Sequence, residues 1–428
     1  MRPLVAQLRR RSLAEWGARI LLTAIVGVIG YGAVTQSLAN SLSDRKSHLA
    51  LRLAPYDARL LAEEARARTL DELAKISAGA KLNGEAQARL NEAEALAHQA
   101  LKRDSMAIPA VTTLGTLAQL RGDLPKARRW MKYSEQLSRR DLATQLWLIE
   151  DAVGREDVAD ALHHYDIALR VKRGASDLLF PVLAQASTDP EIASELVRTL
   201  SAKPLWGEQF IAFAASKTPA PNATARLFLA LRRAGVPISD AASGALIDAL
   251  ITKGQVEEAW AYFSRIRPRA DRTRSRDPNF TASIARASHF DWVTAGDGAG
   301  LFASIQRSGD GGLLDFSAPA GAGGTLVWQL QMLPAGRYVL EGQSVGIDQP
   351  ERSRPYWVVT CRADGRELGR VVMPNSAENA GRFVGHVTVP PGCTAQMLVF
   401  IAPGSDAVGG LTGQLEYVQL RPAIDATQ

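Results

Sequence analysis

Apolar positions follow two regimes along the chain. From about residue 45 to 268 they recur every three or four residues, in stretches rich in alanine, leucine, arginine and glutamate, which is the period of amphipathic helices. Breaks such as LAPYD, RGDLP, TDP, KTPAPN and AGVP cut this region into helices of ordinary length. After residue 288 the pattern changes to alternation. Segments 325–333, 336–346, 355–363, 381–390, 394–403 and 414–422 read as strands separated by glycine, proline and Asp-Gly turns. Four shorter stretches bring the total to about ten, enough for two packed antiparallel sheets. Glycine usage marks the same change, since 21 of the 35 glycines lie after residue 295.

A third pattern precedes both. Residues 20–43 carry no charge, and as a helix they would extend for about 36 Å, enough to cross a bilayer core. Arg2, Arg9, Arg10, Arg11 and Arg19 precede the run against the single Glu15, which holds the N-terminus in the cytoplasm and sends the rest across. The small residues SLA at 37–39 also fit a signal-peptide cleavage site, but the long charged region before the run favours an uncleaved anchor. The expected organisation is therefore a basic cytoplasmic segment (1–19), a transmembrane helix (20–43) and an α-solenoid (45–268). A basic, solvated linker (269–287), a β-sandwich (288–422) and a short tail (423–428) follow.

The helical region repeats. DVADALHHYDIAL (157–169) lies 34 residues after DLPKARRWMKYSE (123–135), so Ala161, Tyr165 and Ala168 take the places of Ala127, Met131 and Ser134. One step earlier stand Ala93, Ala97 and Ala100. On the preceding helices Leu114, Gly115 and Ala118 lead to a turn at Gly122, and Leu148 and Ala152 lead to Glu156 where the turn glycine is expected. Gly254 and Ala259 sit at matching offsets in a later unit. This order resembles the tetratricopeptide repeat. The resemblance implies helix pairs packed through small residues and a concave surface that binds extended peptides or partner proteins. His163 and His164 fall where the previous unit has Arg129 and Trp130, so the pattern asks for no ligand chemistry there.

The strand region carries FDW, QLQMLPAGRYVLEG, WVVTC and PPGCTAQMLVF, an order that resembles the jelly-roll modules of carbohydrate-binding proteins. That resemblance implies glycan binding. Trp292, Tyr356 and Trp357 are the candidate aromatic platforms for sugar rings, while Trp328 and Tyr338 fall inside strand alternations and read as core.

The two cysteines, Cys361 and Cys393, are expected to pair outside the cytoplasm, where closing their loop contributes roughly 3–4 kcal/mol in the chain-entropy view. GQSVG (342–346) matches the nucleophile-elbow pattern, with Asp364 and His386 following Ser344 in hydrolase order. The elbow requires strand, turn, then helix; Pro350 and Pro355 follow instead, with no helical period, so a strand residue explains Ser344 better. The net charge of +6 is modest and no nucleic-acid motif accompanies it. Arg128, Arg129, Lys132, Arg139 and Arg140 form a basic cluster on the repeats, read as a solvated helix face. No catalytic, metal or cofactor-binding set emerges. The sequence reads as a non-enzymatic, single-pass inner-membrane scaffold with its bulk in the periplasm. The assembly resembles bacterial accessory proteins of polysaccharide synthesis or export, which implies a solenoid that binds envelope proteins in such a pathway; the alternative is a glycan-binding protein acting through the sandwich, and an envelope hydrolase is less favoured.

Overall fold

The computed structural model describes residues 54–267, 269–282, 286–295, 300–308 and 311–423, with scattered positions before residue 54. Among the described residues no helix is long and apolar enough to cross a membrane. Most of the span expected at 20–43 lies outside the described residues. The chain is α then β, and it divides into two compact units, Met1–Ala175 and Ser176–Gln428.

The first unit contains α1 (Ala58–Ser77), α2 (Gly84–Arg103), α3 (Ile108–Leu120), α4 (Leu124–Leu137), α5 (Leu142–Gly154) and α6 (Val158–Val171). Short turns fold consecutive helices against each other. Asp57, Asn83, Asp123, Asp141 and Asp157 each cap the helix that follows by accepting a backbone N–H with the side chain. The alanines at the repeat positions form the contact: Ala93, Ala97, Ala100, Ala118, Ala127, Ala152, Ala161 and Ala168 are all buried. Leu114, Gly115, Met131, Leu148 and Tyr165 are buried with them.

The 34-residue spacing is visible in the turns themselves. Gly122 ends α3 with φ +79°, and Glu156 ends α5 with φ +59°. Both close the helix with the same pair of bonds. The N–H of Gly122 donates to the Gln119 carbonyl and that of Asp123 to Ala118, while Glu156 donates to Val153 and Asp157 to Ala152. Gly254 repeats this geometry in the second unit, through Ile251 and, for Gln255, Leu250. Glu156 therefore occupies a left-handed conformation that only glycine adopts without steric cost.

The second unit begins with α7 (Ala175–Ala186), α8 (Pro190–Ser201), α9 (Gly207–Lys217), α10 (Pro221–Arg233), α11 (Asp240–Thr252) and α12 (Val256–Ile266). Ten strands follow: β1 (Val293–Thr294), β2 (Phe302–Ser308), β3 (Gly311–Ala318), β4 (Gly324–Gln331), β5 (Gly336–Val345), β6 (Tyr356–Cys361), β7 (Glu367–Val372), β8 (Arg382–Val389), β9 (Gln396–Ala402) and β10 (Leu411–Pro422). They form two antiparallel five-stranded sheets, ordered β1-β4-β9-β6-β7 and β2-β3-β10-β5-β8. Between the sheets lie Leu314, Phe316, Leu340, Trp357, Leu398, Phe400, Leu415 and Val418. The Trp357 ring stacks on Phe400 at 4.8 Å. Cys361, at the end of β6, is disulfide-bonded to Cys393, with Cα atoms 5.8 Å apart.

The basic stretch 269–287, expected to be a solvated linker, is corrected by its hydrogen bonds. Ser275 N–H donates to the Leu420 carbonyl at 2.8 Å, and Leu420 N–H donates back to Ser275 Oγ at 2.8 Å. Val418 N–H donates to the Pro278 carbonyl at 2.9 Å. The Gln329 amide brackets the Arg276 backbone, accepting its N–H at 3.0 Å and donating to its carbonyl at 3.1 Å. The boundary between compact units accordingly falls at 175/176, and α11 and α12 belong with the sandwich. Composition hides this because an arginine run looks solvated whether or not one of its members is buried.

That member is Arg276. Its guanidinium donates to the carbonyls of Phe290 and Leu330 and lies 5.3 Å from the Trp260 ring and 5.7 Å from Phe290. Burial pushes its pKa down to about 9, against a smaller opposing effect of Asp291, so it remains charged at neutral pH. Arg276→Ala strands two buried carbonyls and is expected to destabilise the second unit by about 2–5 kcal/mol in urea denaturation; a loss below about 1 kcal/mol would contradict the clamp described. In the first unit, Glu156→Gly should raise stability by about 0.5–1 kcal/mol by relieving the left-handed backbone, and a decrease would show that the turn is not strained.

Candidate functional site

The outer face of the β2-β3-β10-β5-β8 sheet turns polar side chains to solvent, and its register arranges them in rows. Tyr417 on β10 lies opposite Gln343 on β5, which lies opposite Arg382 on β8. The next row is Gln419, Glu341 and Val384, and the one after it Arg421, Val339 and His386. Neighbouring strands are about 4.8 Å apart and alternate residues on one strand about 6.7 Å apart, so the rows form a regular lattice of hydrogen-bonding groups. A hollow of about 580 Å³ opens on this lattice, lined by Glu341, Gly342, Gln343, Asn379, Arg382, Phe383, Val384 and Tyr417.

Tyr417 reaches this face through a bulge. The register of β10 against β5 slips between Leu415 and Tyr417, so Leu415 and Val418 both point inward and the residues between them do not. The Tyr417 hydroxyl donates to Gln419 Oε1 at 2.8 Å. Partial burial first, and the Glu341 carboxylate second, raise its pKa above the ordinary phenol value. Glu341 takes two hydrogen bonds from Arg421, at 2.7 and 2.9 Å, which fixes the carboxylate and raises the pKa of the arginine.

The rim of the hollow is strained. Asn379, Ala380 and Gly381 have φ of 48°, 52° and 71°, three left-handed residues in succession. Gly381 has no alternative there, because a Cβ would collide with the Ser344 carbonyl. Ser344 Oγ donates to the Gly381 carbonyl at 3.2 Å. The serine of the GQSVG pattern is thus buried and holds the rim from behind, while His386 lies on the opposite, solvent-facing side of the sheet. Ser344 and His386 do not converge.

Burial corrects two of the three aromatic platforms expected from sequence, the tryptophans. Trp357 is 0% exposed and Trp292 is 5% exposed, with their rings 5.8 Å apart in the sandwich interior. Tyr356 is half-buried on the other sheet, beneath the Arg370 guanidinium at 4.4 Å. Tyr338 is core as expected and donates to the Pro334 carbonyl at 2.8 Å; Trp328 is half-buried against His289. Sequence reasoning missed Tyr417. The one signal for it was the three-residue step from Leu415 to Val418 in an otherwise alternating strand.

A second hollow, of about 530 Å³, lies between α4, α5 and α6 of the first unit, where Lys132, Glu135, Arg139, Asp160, His163 and His164 meet. His164 is buried, with Nδ1 2.9 Å from Gln145 Oε1, and His163 is exposed. Of the basic cluster, Arg128 is held by Asp151 through bonds of 2.6–3.2 Å. Among the described residues no group of three or more His, Cys, Asp or Glu is placed to hold a metal ion.

No protein-family model and no curated protein matches the chain. Among solved structures, a chain of the Glycosylation Associate Protein (Gap123) complex from Streptococcus agalactiae aligns at 12% identity and a TM-score of 0.19, over 29% of this chain and 43% of that one. The alignment thus spans less than half the length of that chain.

Burial lowers the pKa of His164, outweighing the opposing pull of Glu135 and Asp160. Below about 6.5, the ordinary imidazole value, the unfolded chain takes up a proton that the folded chain resists, so stability should fall as pH drops through this range. Comparing urea midpoints at pH 8 and pH 5.5 for the native chain and His164→Gln checks this; an unchanged pH dependence in the variant would dismiss the histidine as its source.

Proposed function

We propose that this is a non-enzymatic recognition protein that binds glycan on the outer face of the β2-β3-β10-β5-β8 sheet. The observation that carries the reading is the hollow lined by Tyr417, Gln343, Glu341 and Arg382, with Gln419 beside it as the acceptor of the Tyr417 hydroxyl. An aromatic ring beside a side-chain amide and a fixed carboxylate suits a saccharide, whose C–H face stacks on the ring while its hydroxyls both donate and accept. The strained rim at Asn379–Gly381 supports it, since left-handed non-glycine residues persist where a site needs a set shape. The helix pairs, of tetratricopeptide type in this reading, serve as the protein-binding arm. The mixed-charge hollow between α4 and α6 is suited to the polar side chains of an envelope partner.

The Cys361–Cys393 disulfide supports a location outside the cytoplasm, because reducing compartments keep such pairs open. With residues 20–43 as anchor, the bulk lies in the periplasm of a bacterial envelope, at a step of polysaccharide synthesis or export.

Calorimetric titration of the full chain with soluble oligosaccharides tests the proposal. Tyr417→Ala is expected to weaken binding about tenfold, the loss of one stacking platform, with the thermal midpoint little changed. Undiminished binding in this variant would remove the sheet face as the site.

A further inference from the structure

Two side chains that line the sheet hollow carry formal charge, Glu341 and Arg382. They differ in one respect. Glu341 has both oxygens engaged by Arg421, so its charge is compensated before any ligand arrives. Arg382 is exposed, and among the described residues its guanidinium has no carboxylate partner. The hollow is therefore left with one uncompensated positive charge, two strands from the Tyr417 ring and opposite Gln343.

We infer that the glycan bound here is acidic, and that Arg382 receives the carboxylate of a hexuronic acid unit; this rests on the glycan reading above. A guanidinium offers a planar fork of donors that matches a carboxylate with two parallel hydrogen bonds, and it is less strongly hydrated than an ammonium. The separation from Tyr417 to Arg382, two strand spacings or about 10 Å, lets one sugar stack on the ring while a neighbouring unit presents its acid to the arginine. Charge is divided across the face: Asp315 on β3, opposite Gln414, and Glu416 on β10 lie on the far side of Tyr417 from Arg382. Arg337 and His386 continue along β5 and β8 on the same side, while Glu416, the extra residue of the bulge, is exposed on β10. A polyanionic chain lying over β5 and β8 would meet Arg382 and Arg337 and keep its acids away from Glu416 and Asp315. A neutral glycan would leave the Arg382 charge without any use.

The test uses the full chain and three probes of one size: a galacturonic acid hexamer, its methyl ester and cellohexaose. The acid hexamer is expected to bind about tenfold or more tighter than its ester, the effect of one charge-assisted contact, and added salt should weaken the acid alone. Arg382→Gln should bring acid and ester to the same affinity and remove the salt dependence of the acid. Equal binding of acid and ester overturns the inference and leaves the glycan site standing. A preference that survives Arg382→Gln overturns the role of Arg382. Failure of all three probes to bind overturns the glycan reading itself.

Discussion

The second unit depends on one buried guanidinium that forms no ion pair among the described residues, Asp291 acting on it only through space. An unpaired cation in a protein interior is costly, and Arg276 is tolerated because carbonyl oxygens and the faces of Trp260 and Phe290 surround it. Those acceptors come from two places in the chain, the segment before β1 and the end of β4, so Nε and one terminal nitrogen are satisfied only when both are assembled, while the other terminal nitrogen has no hydrogen-bond partner. Its neighbours extend the grip. Ser275 and Pro278 bond to β10, and Gln329 of β4 holds the Arg276 backbone. β10 is the middle strand of its sheet and carries Tyr417, Gln419 and Arg421. The clamp on one edge of the fold therefore sets the position of the strand on which the candidate site is built.

Much of this architecture was legible in the sequence. Six of the strands lie within two to three residues of the alternating segments, because one buried face imposes a period of two that few other structures produce. The helix repeat was legible through small residues, and even its exception was informative, since Glu156 adopts the backbone geometry of the glycine it replaces. The arginine-rich stretch is misleading because charge is ordinarily a proxy for solvation. That proxy fails when carbonyl oxygens and aromatic rings, invisible to a charge pattern, supply the environment. The tryptophans misled for a related reason. Large aromatics are attractive as sugar platforms, but the same area makes them effective core residues, and Trp357 sits at an inward register position facing Phe400. What decides between the two uses is the face of the strand, and a one-residue bulge was enough to move Tyr417 to the solvent side.

The serine of the GQSVG pattern ties these points together. Ser344 is inward-facing, and its hydroxyl donates to the Gly381 carbonyl at 3.2 Å and lies 3.4 Å from Ser376 Oγ, which in turn accepts the Ile347 N–H at 2.9 Å. Together these bonds pin residues 376–381 to the end of β5. The left-handed backbone of Asn379 and Ala380 costs of order 1–3 kcal/mol each, and each such hydrogen bond returns about 1 kcal/mol, so the rim is held near the limit of what local bonding supports. A segment of that kind retains its shape only while β5 stays in register. Since β5 is registered against β10, the chain of dependence leads back from the rim of the hollow, through Ser344 and β10, to the buried arginine. Read this way, a residue type associated with nucleophilic chemistry acts as a positioning group, and the shape of the polar face follows from how the strands beneath it are fastened.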